Sequence, residues 1–473
     1  MIDLSSRLDA LTDDERMIRD AAADYCARDG SLRRVRELRG QLPSHDARAW
    51  REMAEMGWLG CRLPERLGGM ALTHSQLSLL LEQYGRSRAP EPLVGSAILA
   101  GGALLNGQRE ALKERWLPAL ARGEWLPSLA WQDTASRAPG EAFATRAGPV
   151  DGGVVLDGGK RFVQNGESAD AFIVSAMGPA GPGLYLVGRD APGLKIRTHP
   201  RVDGGTWRDL ELAGVEIGAG AVIASGDGAA STLARALDEA RLAASAELVG
   251  LMSRAFEITV AYLKVREQFG RPIGSFQALQ HRAVDLLGLV EISRAVLRQS
   301  AASFDADDDP DARARAASQA KARASDAALK VAKGCIQLHG GIGYTDEHDI
   351  GLFLKRAMVL AAWLGGAAEH RERYGRLVES TAADGDTDAA ADPLRTEVRR
   401  FLAENFPPQW RFPRTRMSLR QTDAWQRRLA AKGWMAPGWP VEYGGMGLSA
   451  YDQVAMQEEL DRHGVSIIPN NGV

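Results

Sequence analysis

A block near the start of the chain returns near its end, and that return restricts the architecture more than any other feature. Gly57-Trp58, Pro64, Gly68-Gly69-Met70, Leu72 and Glu82 recur as Gly433-Trp434, Pro440, Gly444-Gly445-Met446, Leu448 and Glu458, each pair 376 positions apart without a gap. A Gly-Trp and a Gly-Gly-Met at one shared offset argue for duplication rather than coincidence. Between the copies, Thr381 to Asp392 is acidic and poor in apolar residues, which reads as a linker. The second copy reaches only Val473. The expectation is one full unit followed by the opening of a second, truncated one.

With 473 residues the chain is too long for one ordinary core. Hydrophobic content of 45% and charged content of 25% are those of a globular protein. A net charge of -3, with arginines interleaved among acids, offers no basic field for nucleic acid. No apolar run reads as a membrane span, and the N-terminus lacks the pattern of a signal peptide, so the cytoplasm is the expected compartment. Cys26, Cys61 and Cys335 are scattered and odd in number, which implies neither a disulfide framework nor a metal site. His199 and His339 have no partner at ligand spacing and read as structural or solvent-facing.

Texture divides the chain into five parts: 1–124 helical, 125–225 a small β domain, 226–380 a helical bundle, 381–393 the linker and 394–473 the truncated second helical domain. Helical periodicity shows in Leu77, Leu80 and Leu81 and in Asp46 to Met56. Strands are predicted at Val154 to Leu156, Ala171 to Val174, Leu184 to Val187 and Leu210 to Leu212, between Gly-rich turns. A long helix is predicted from Ser231 as its N-cap, with Leu233, Leu237, Leu248, Met252 and Phe256 on one face. In the second copy, Trp425, Trp434, Met435, Trp439, Tyr443 and Tyr451 are expected to leave an apolar surface uncovered.

Two further blocks carry chemistry. Tyr262 to Gln277 joins two helical patterns through a Gly/Pro corner and holds a cation, an aromatic and an amide within a dozen positions. Arg266 can pair with a phosphate through its planar fork; Phe269 can lie on a flat heterocycle, and Gln277 can hydrogen-bond a sugar or base. Taken alone, most such runs are a helix–loop–helix corner with solvated charges. Cys335 to Thr345 ends a helix in Gly340-Gly341. That position suits a helix cap, and the block lacks the strand that a dinucleotide fingerprint requires.

On these residues, and at this separation, the chain resembles the acyl-CoA dehydrogenase family over about residues 1–378. The resemblance implies a mainly α fold with a small β domain: a helical domain, a β-barrel or sandwich, a four-helix bundle, then a partial repeat of the first. It implies FAD as cofactor, with Arg266, Phe269 and Gln277 reaching the FAD of a neighbouring protomer. Gln337, Leu338, His339, Gly340 and Gly341 would bring backbone to its phosphate or adenosine. Phe162 corresponds to an aromatic over the flavin ring, with a core strand residue as the equal alternative. Asp238 and Arg241 correspond to a substrate-side pair, with a surface i,i+3 pair as the alternative.

Desaturation of an acyl-CoA thioester needs a carboxylate to take the α-proton while the β-hydride leaves to the flavin. The family keeps that glutamate at one of two places. Leu364 stands at the first and Ala240 at the second. Glu239 is one residue off, about 100° around the helix, and reads rather as a solvated acid. The family's Thr-Glu-Pro segment is not recognisable near Leu129 to Asp133. The resemblance is therefore to the base-deficient unit of fused or heteromeric steroid side-chain dehydrogenases. It implies an acyl-CoA substrate, an electron-transfer flavoprotein or similar acceptor, and a homo- or hetero-oligomer sharing FAD across an interface. A flavin-dependent monooxygenase and a flavin-free structural subunit are the alternatives.

Overall fold

Leucines at helical spacing need a start signal, and Thr73 supplies it for the helix His74–Ser87. The computed structural model describes residues 11–28, 31–133, 143–164, 168–306, 308–384, 392–411 and 418–465. In it the Thr73 hydroxyl accepts the Gln76 N–H while the Gln76 side chain accepts the Thr73 N–H, a reciprocal box that satisfies two otherwise orphaned donors. Helices α1 (Asp13–Arg28), α2 (Ser31–Glu37), α3 (Ala47–Glu55), α4 (His74–Ser87), α5 (Gly101–Leu105) and α6 (Glu110–Ala121) precede the sheet. Met53, Leu63, Leu67, Leu81 and Leu117 pack in the core they share.

Eight strands follow: β1 (Pro127–Ala130), β2 (Arg146–Val150), β3 (Gly153–Gln164), β4 (Ala171–Gly178), β5 (Gly181–Gly188), β6 (Leu194–Pro200), β7 (Thr206–Gly218) and β8 (Val222–Ser225). Their order is β6-β7-β3-β2-β4-β5-β8, with β1 parallel to β4. The four predicted runs lie inside β3, β4, β5 and β7.

Long helices follow: α7 (Asp227–Val265), α8 (Gln277–Ala306), α9 (Pro310–His339), α10 (Ile350–Ala362) and α11 (Ala367–Asp384). The start of α7 corrects the sequence reading. Gly226, at φ 61 with no side-chain cap, takes the cap position five residues before Ser231, whose hydroxyl donates to Gly228 O inside the helix. A glycine entry leaves no capping side chain for the sequence to show. Ile350–Val378 is apolar enough by composition to cross a membrane, contrary to expectation, but it breaks between α10 and α11 and 56% of its apolar window is buried in the fold.

Two compact units divide the chain, Met1–Leu377 and Val378–Val473. The second has its own core, built by α12 (Pro393–Asn405), α13 (Leu419–Ala431) and α14 (Ala450–Arg462). Ser449 caps α14 at the repeat position of Thr73. Trp425 and Trp434 are buried there, against the expectation, because Phe406 and Phe401 meet them at ring separations of 4.8 Å and 4.6 Å. Met435, Trp439, Tyr443 and Tyr451 are exposed. Most of the linker lies outside the described residues.

Candidate functional site

Where β3 pairs with β7 the register slips between Lys160 and Val163, and Phe162 sits in the slip at φ 53. A bulge re-aims a side chain, and here it turns Phe162 out of the sheet. Phe162 is thus an exposed aromatic, which removes the core-strand alternative. It meets Trp207 edge-on at 6.1 Å, and with Trp131 and Gln132 it forms one wall of a cavity of about 230 Å³. Beneath that wall, Lys160 is wholly buried and donates to Asp133 at 2.8 Å; burial pushes its ammonium down to about 8 although Asp133 opposes the shift.

The facing wall is the turn between α10 and α11, which contributes Trp363, Leu364, Gly365 and Glu369. Leu364 is buried at φ 64, a left-handed conformation that costs a non-glycine residue about 1–2 kcal/mol. Three buried side chains hold it there. Arg241 Nε donates to Leu364 O at 3.2 Å, His370 Nε2 donates to the same oxygen at 3.0 Å, and Lys321 Nζ donates to Ala361 O and Gly365 O. Burial and the neighbouring Arg241 push His370 down to about 3, so it is neutral. Glu369 is the one carboxylate among the described lining residues. It accepts the Gly366 N–H at 2.9 Å and so caps the start of α11.

Sequence expectations for α7 are corrected at this wall. Asp238 and Arg241 are no surface pair: they are buried, 2.7 Å apart, and Arg373 from α11 grips Asp238 at 2.6 Å and 2.9 Å. Burial raises the Asp238 carboxyl, and the two arginines outweigh it, holding it below the ordinary range. Neither side chain lines the cavity; Arg241 reaches the Leu364 carbonyl, and Asp238 holds Arg241. Glu239 is buried rather than solvated; it receives Arg235 at 3.0 Å and lies 3.9 Å from His74 Nε2, off the cavity lining. Ala240 is fully buried.

The other polar blocks meet at the far end of α7, about 40 Å along the axis at 1.5 Å per residue. Tyr262 stacks on His339 at 4.5 Å, which brings the Arg266 corner beside Gln337–Gly341. Phe269 is 92% exposed, and Arg266, Gln277 and Gln337 are exposed too. A Cβ at Gly340 or Gly341 would meet nothing within 4 Å, so the backbone there is open to close approach. His339 is buried instead of solvent-facing; its Nδ1 donates to Cys335 O at 2.8 Å and its Nε2 has no partner. Leu338 is buried. His199 is exposed and pairs with Asp209 on the neighbouring strand. No group of three or more His, Cys, Asp or Glu is placed to hold a metal among the described residues.

Sequence reasoning missed Trp131, Trp207, Lys321, Glu369, His370 and Arg373. Only the Trp363-Leu364 stretch hinted at their neighbourhood, because the partners come from helices and strands distant in sequence.

The family model described as Acyl-CoA dehydrogenase, C-terminal domain, matches residues 226–378. The Acyl-CoA dehydrogenase, N-terminal domain, matches twice, at 12–124 and 388–472. Acyl-CoA dehydrogenase IpdE2 of Mycolicibacterium smegmatis is 31% identical over 77% of this chain and 98% of its own length. Acyl-CoA dehydrogenase FadE34 of Mycobacterium tuberculosis is 28% identical over 90% of this chain, which spans 54% of that relative. The solved ChsE4-ChsE5 complex from Mycobacterium tuberculosis is similar at a TM-score of 0.71 and 27% identity, covering 78% of this chain and 98% of that one. A structure titled as a Tcur3481-Tcur3483 steroid ACAD variant gives the same TM-score and coverages at 33% identity.

Proposed function

The chain belongs to the acyl-CoA dehydrogenase family, and on that premise we propose that it is an FAD-supporting unit for desaturation of an acyl-CoA thioester, working with a partner domain or subunit that supplies the proton acceptor. The observation that carries the reading is the occupancy of both base positions by buried apolar side chains, Leu364 and Ala240. Among the described residues, the two carboxylates considered for the role are placed otherwise. Glu369 is engaged by the Gly366 amide, and Glu239 lies off the cavity.

The residues present fit the flavin. The open Gly340–Gly341 backbone and the exposed Arg266 fork gather donors at one end, next to the solvent-facing ring of Phe269. When bound, FAD accepts the β-hydride. Arg266 would pair with a phosphate and Gln337 to Gly341 would close on phosphate or adenosine, in the service of a neighbouring protomer. Phe162 and Trp131 offer flat apolar surface in the cavity, and Trp363 and Leu364 keep water from it. A relative that is itself a complex, ChsE4-ChsE5, supports a two-chain arrangement. An electron-transfer flavoprotein or similar acceptor, in the cytoplasm, completes the reading.

Mixing the purified chain with short- and long-chain acyl-CoA while recording flavin absorbance is the test. Bound flavin should bleach on the order of 10²–10⁴-fold more slowly than with a positioned carboxylate, the range for loss of a general base, and Leu364→Glu should restore bleaching. Rapid bleaching by the unmodified chain overturns the proposal. Arg266→Ala should remove flavin and weaken dimerisation together; a monomeric variant with full FAD occupancy contradicts the shared site.

A further inference from the structure

Lys321 is a buried ionisable group that the proposed chemistry leaves without a task. It sits on α9, wholly buried, and makes no ion pair among the described residues. An ammonium has three N–H donors, and each one finds an oxygen: Ser325 Oγ at 3.0 Å, Ala361 O at 3.2 Å and Gly365 O at 3.0 Å. Two of the three acceptors bracket Leu364, the strained residue of the cavity wall. A non-glycine residue in the left-handed region persists where its surroundings over-determine it, and Lys321 provides much of that determination.

We propose that Lys321 is a positioning residue: its ammonium fixes the Ala361–Gly365 turn so that Trp363 and Leu364 face the cavity, and loss of its proton releases part of that hold. The inference rests on the reading of this cavity as the reaction site. Burial pushes the ammonium down to about 7, with Arg241 of α7 acting in the same direction and Glu369 of α11 opposing. No charged group of α8 or α10 perturbs it. Neutral His370 and Arg373 of α11 lie on the same side, the latter engaged with Asp238.

The sign of the linkage separates positioning from mere support. The ordinary lysine value is 10.5, so between about 7 and 10.5 the unfolded chain holds a proton that the folded chain has lost. Global stability from this group therefore rises with pH across that window. An opening of the turn that leaves Lys321 buried behaves oppositely, because a neutral amine has only two N–H donors for three oxygens.

Hydrogen exchange of peptides covering residues 359–366, corrected for intrinsic rates, tests this without flavin or thioester, so its failure is distinct from failure of the proposed function. Trp363 N–H bonds Val359 O and Gly365 N–H bonds Ala362 O, which gives reporters inside the turn. Their protection should fall on the order of fivefold from about pH 6 to about pH 8.5, the worth of one hydrogen bond. Lys321→Met should lower protection at both pH values, and adding Leu364→Gly, which accepts the left-handed backbone freely, should restore it. If Lys321→Met fails to fold, Leu364→Gly alone should shrink the pH dependence to under about twofold. Protection that ignores pH in the native chain, or a double variant no better protected than Lys321→Met, overturns the proposal.

Discussion

The two copies of the N-terminal helical motif share their local code and differ in what covers them. In the first, Leu59, Leu63 and Leu67 are 1%, 2% and 2% exposed, with α6 packed on the turns that carry them. Their counterparts Met435, Trp439 and Tyr443 are 37%, 62% and 70% exposed. Yet the turns are the same: Glu65–Leu67 and Val441–Tyr443 are both short 3-10 helices ended by a left-handed glycine, Gly68 and Gly444. A Cβ on Gly69 would stand 2.0 Å from Leu63 O, and one on Gly445 would stand 2.2 Å from Trp439 O. Local geometry is thus written into the block itself, whereas burial is conferred by elements elsewhere.

The sharpest way to break this comparison is truncation at matched positions. Leu63→Ala should destabilise the first unit by about 2–5 kcal/mol, as for other buried leucines, while Trp439→Ala should stay within about 0.5 kcal/mol. Denaturant melts of each variant decide it. Equal costs would mean that the Trp439 face is covered in solution.

A smaller difference lies in charge. Glu459 is buried and held by Arg395 and Arg399, while its counterpart is the neutral Gln83. Burial raises the Glu459 carboxyl, and the arginine hydrogen bonds outweigh that and hold it below its ordinary 4.5. A depressed carboxyl contributes stability that is present above the unfolded value and lost as pH falls through the folded one. Glu459→Gln should cost about 1.5–3 kcal/mol at neutral pH, and the loss should vanish in melts run well below the carboxylate range. A cost independent of pH would exclude the ion-pair account.

The smallest expected effect concerns the rim. Arg66 pairs with Glu110 at 3.0 Å, both half-exposed, where the second copy carries Glu442. Arg66→Ala should change stability by about 0.2–1 kcal/mol, measurable only by a double-mutant cycle with Glu110→Ala. A larger coupling would make charge, rather than apolar cover, the mark of the first copy.

Much of this was legible because it is local. The 376-residue offset, the helical corner at Arg266, the helix end at Gly340 and the four strand runs each follow from spacing or turn chemistry. Asp238 and Arg241 were half legible. Their i,i+3 spacing announces a pair, but the third member, Arg373, arrives from 135 residues away and decides that the pair is buried. Phe162 needed the β3–β7 slip, which depends on a partner strand. Lys321 sits among alanines and serines on α9, and nothing near it in sequence names the two carbonyls on α10 and its following turn that accept its hydrogen bonds.

Helix α7 runs unbroken for 39 residues, about 58 Å at 1.5 Å per residue. It carries Arg241 in its first half and delivers Arg266 at its C-terminal end, about 36 Å on, which makes it a ruler between two workplaces. A ruler tolerates substitution and does not tolerate a change of length. One residue inserted at its middle would advance the Arg266 corner by about 1.5 Å and swing it by about 100°, leaving each end well formed and the two out of phase.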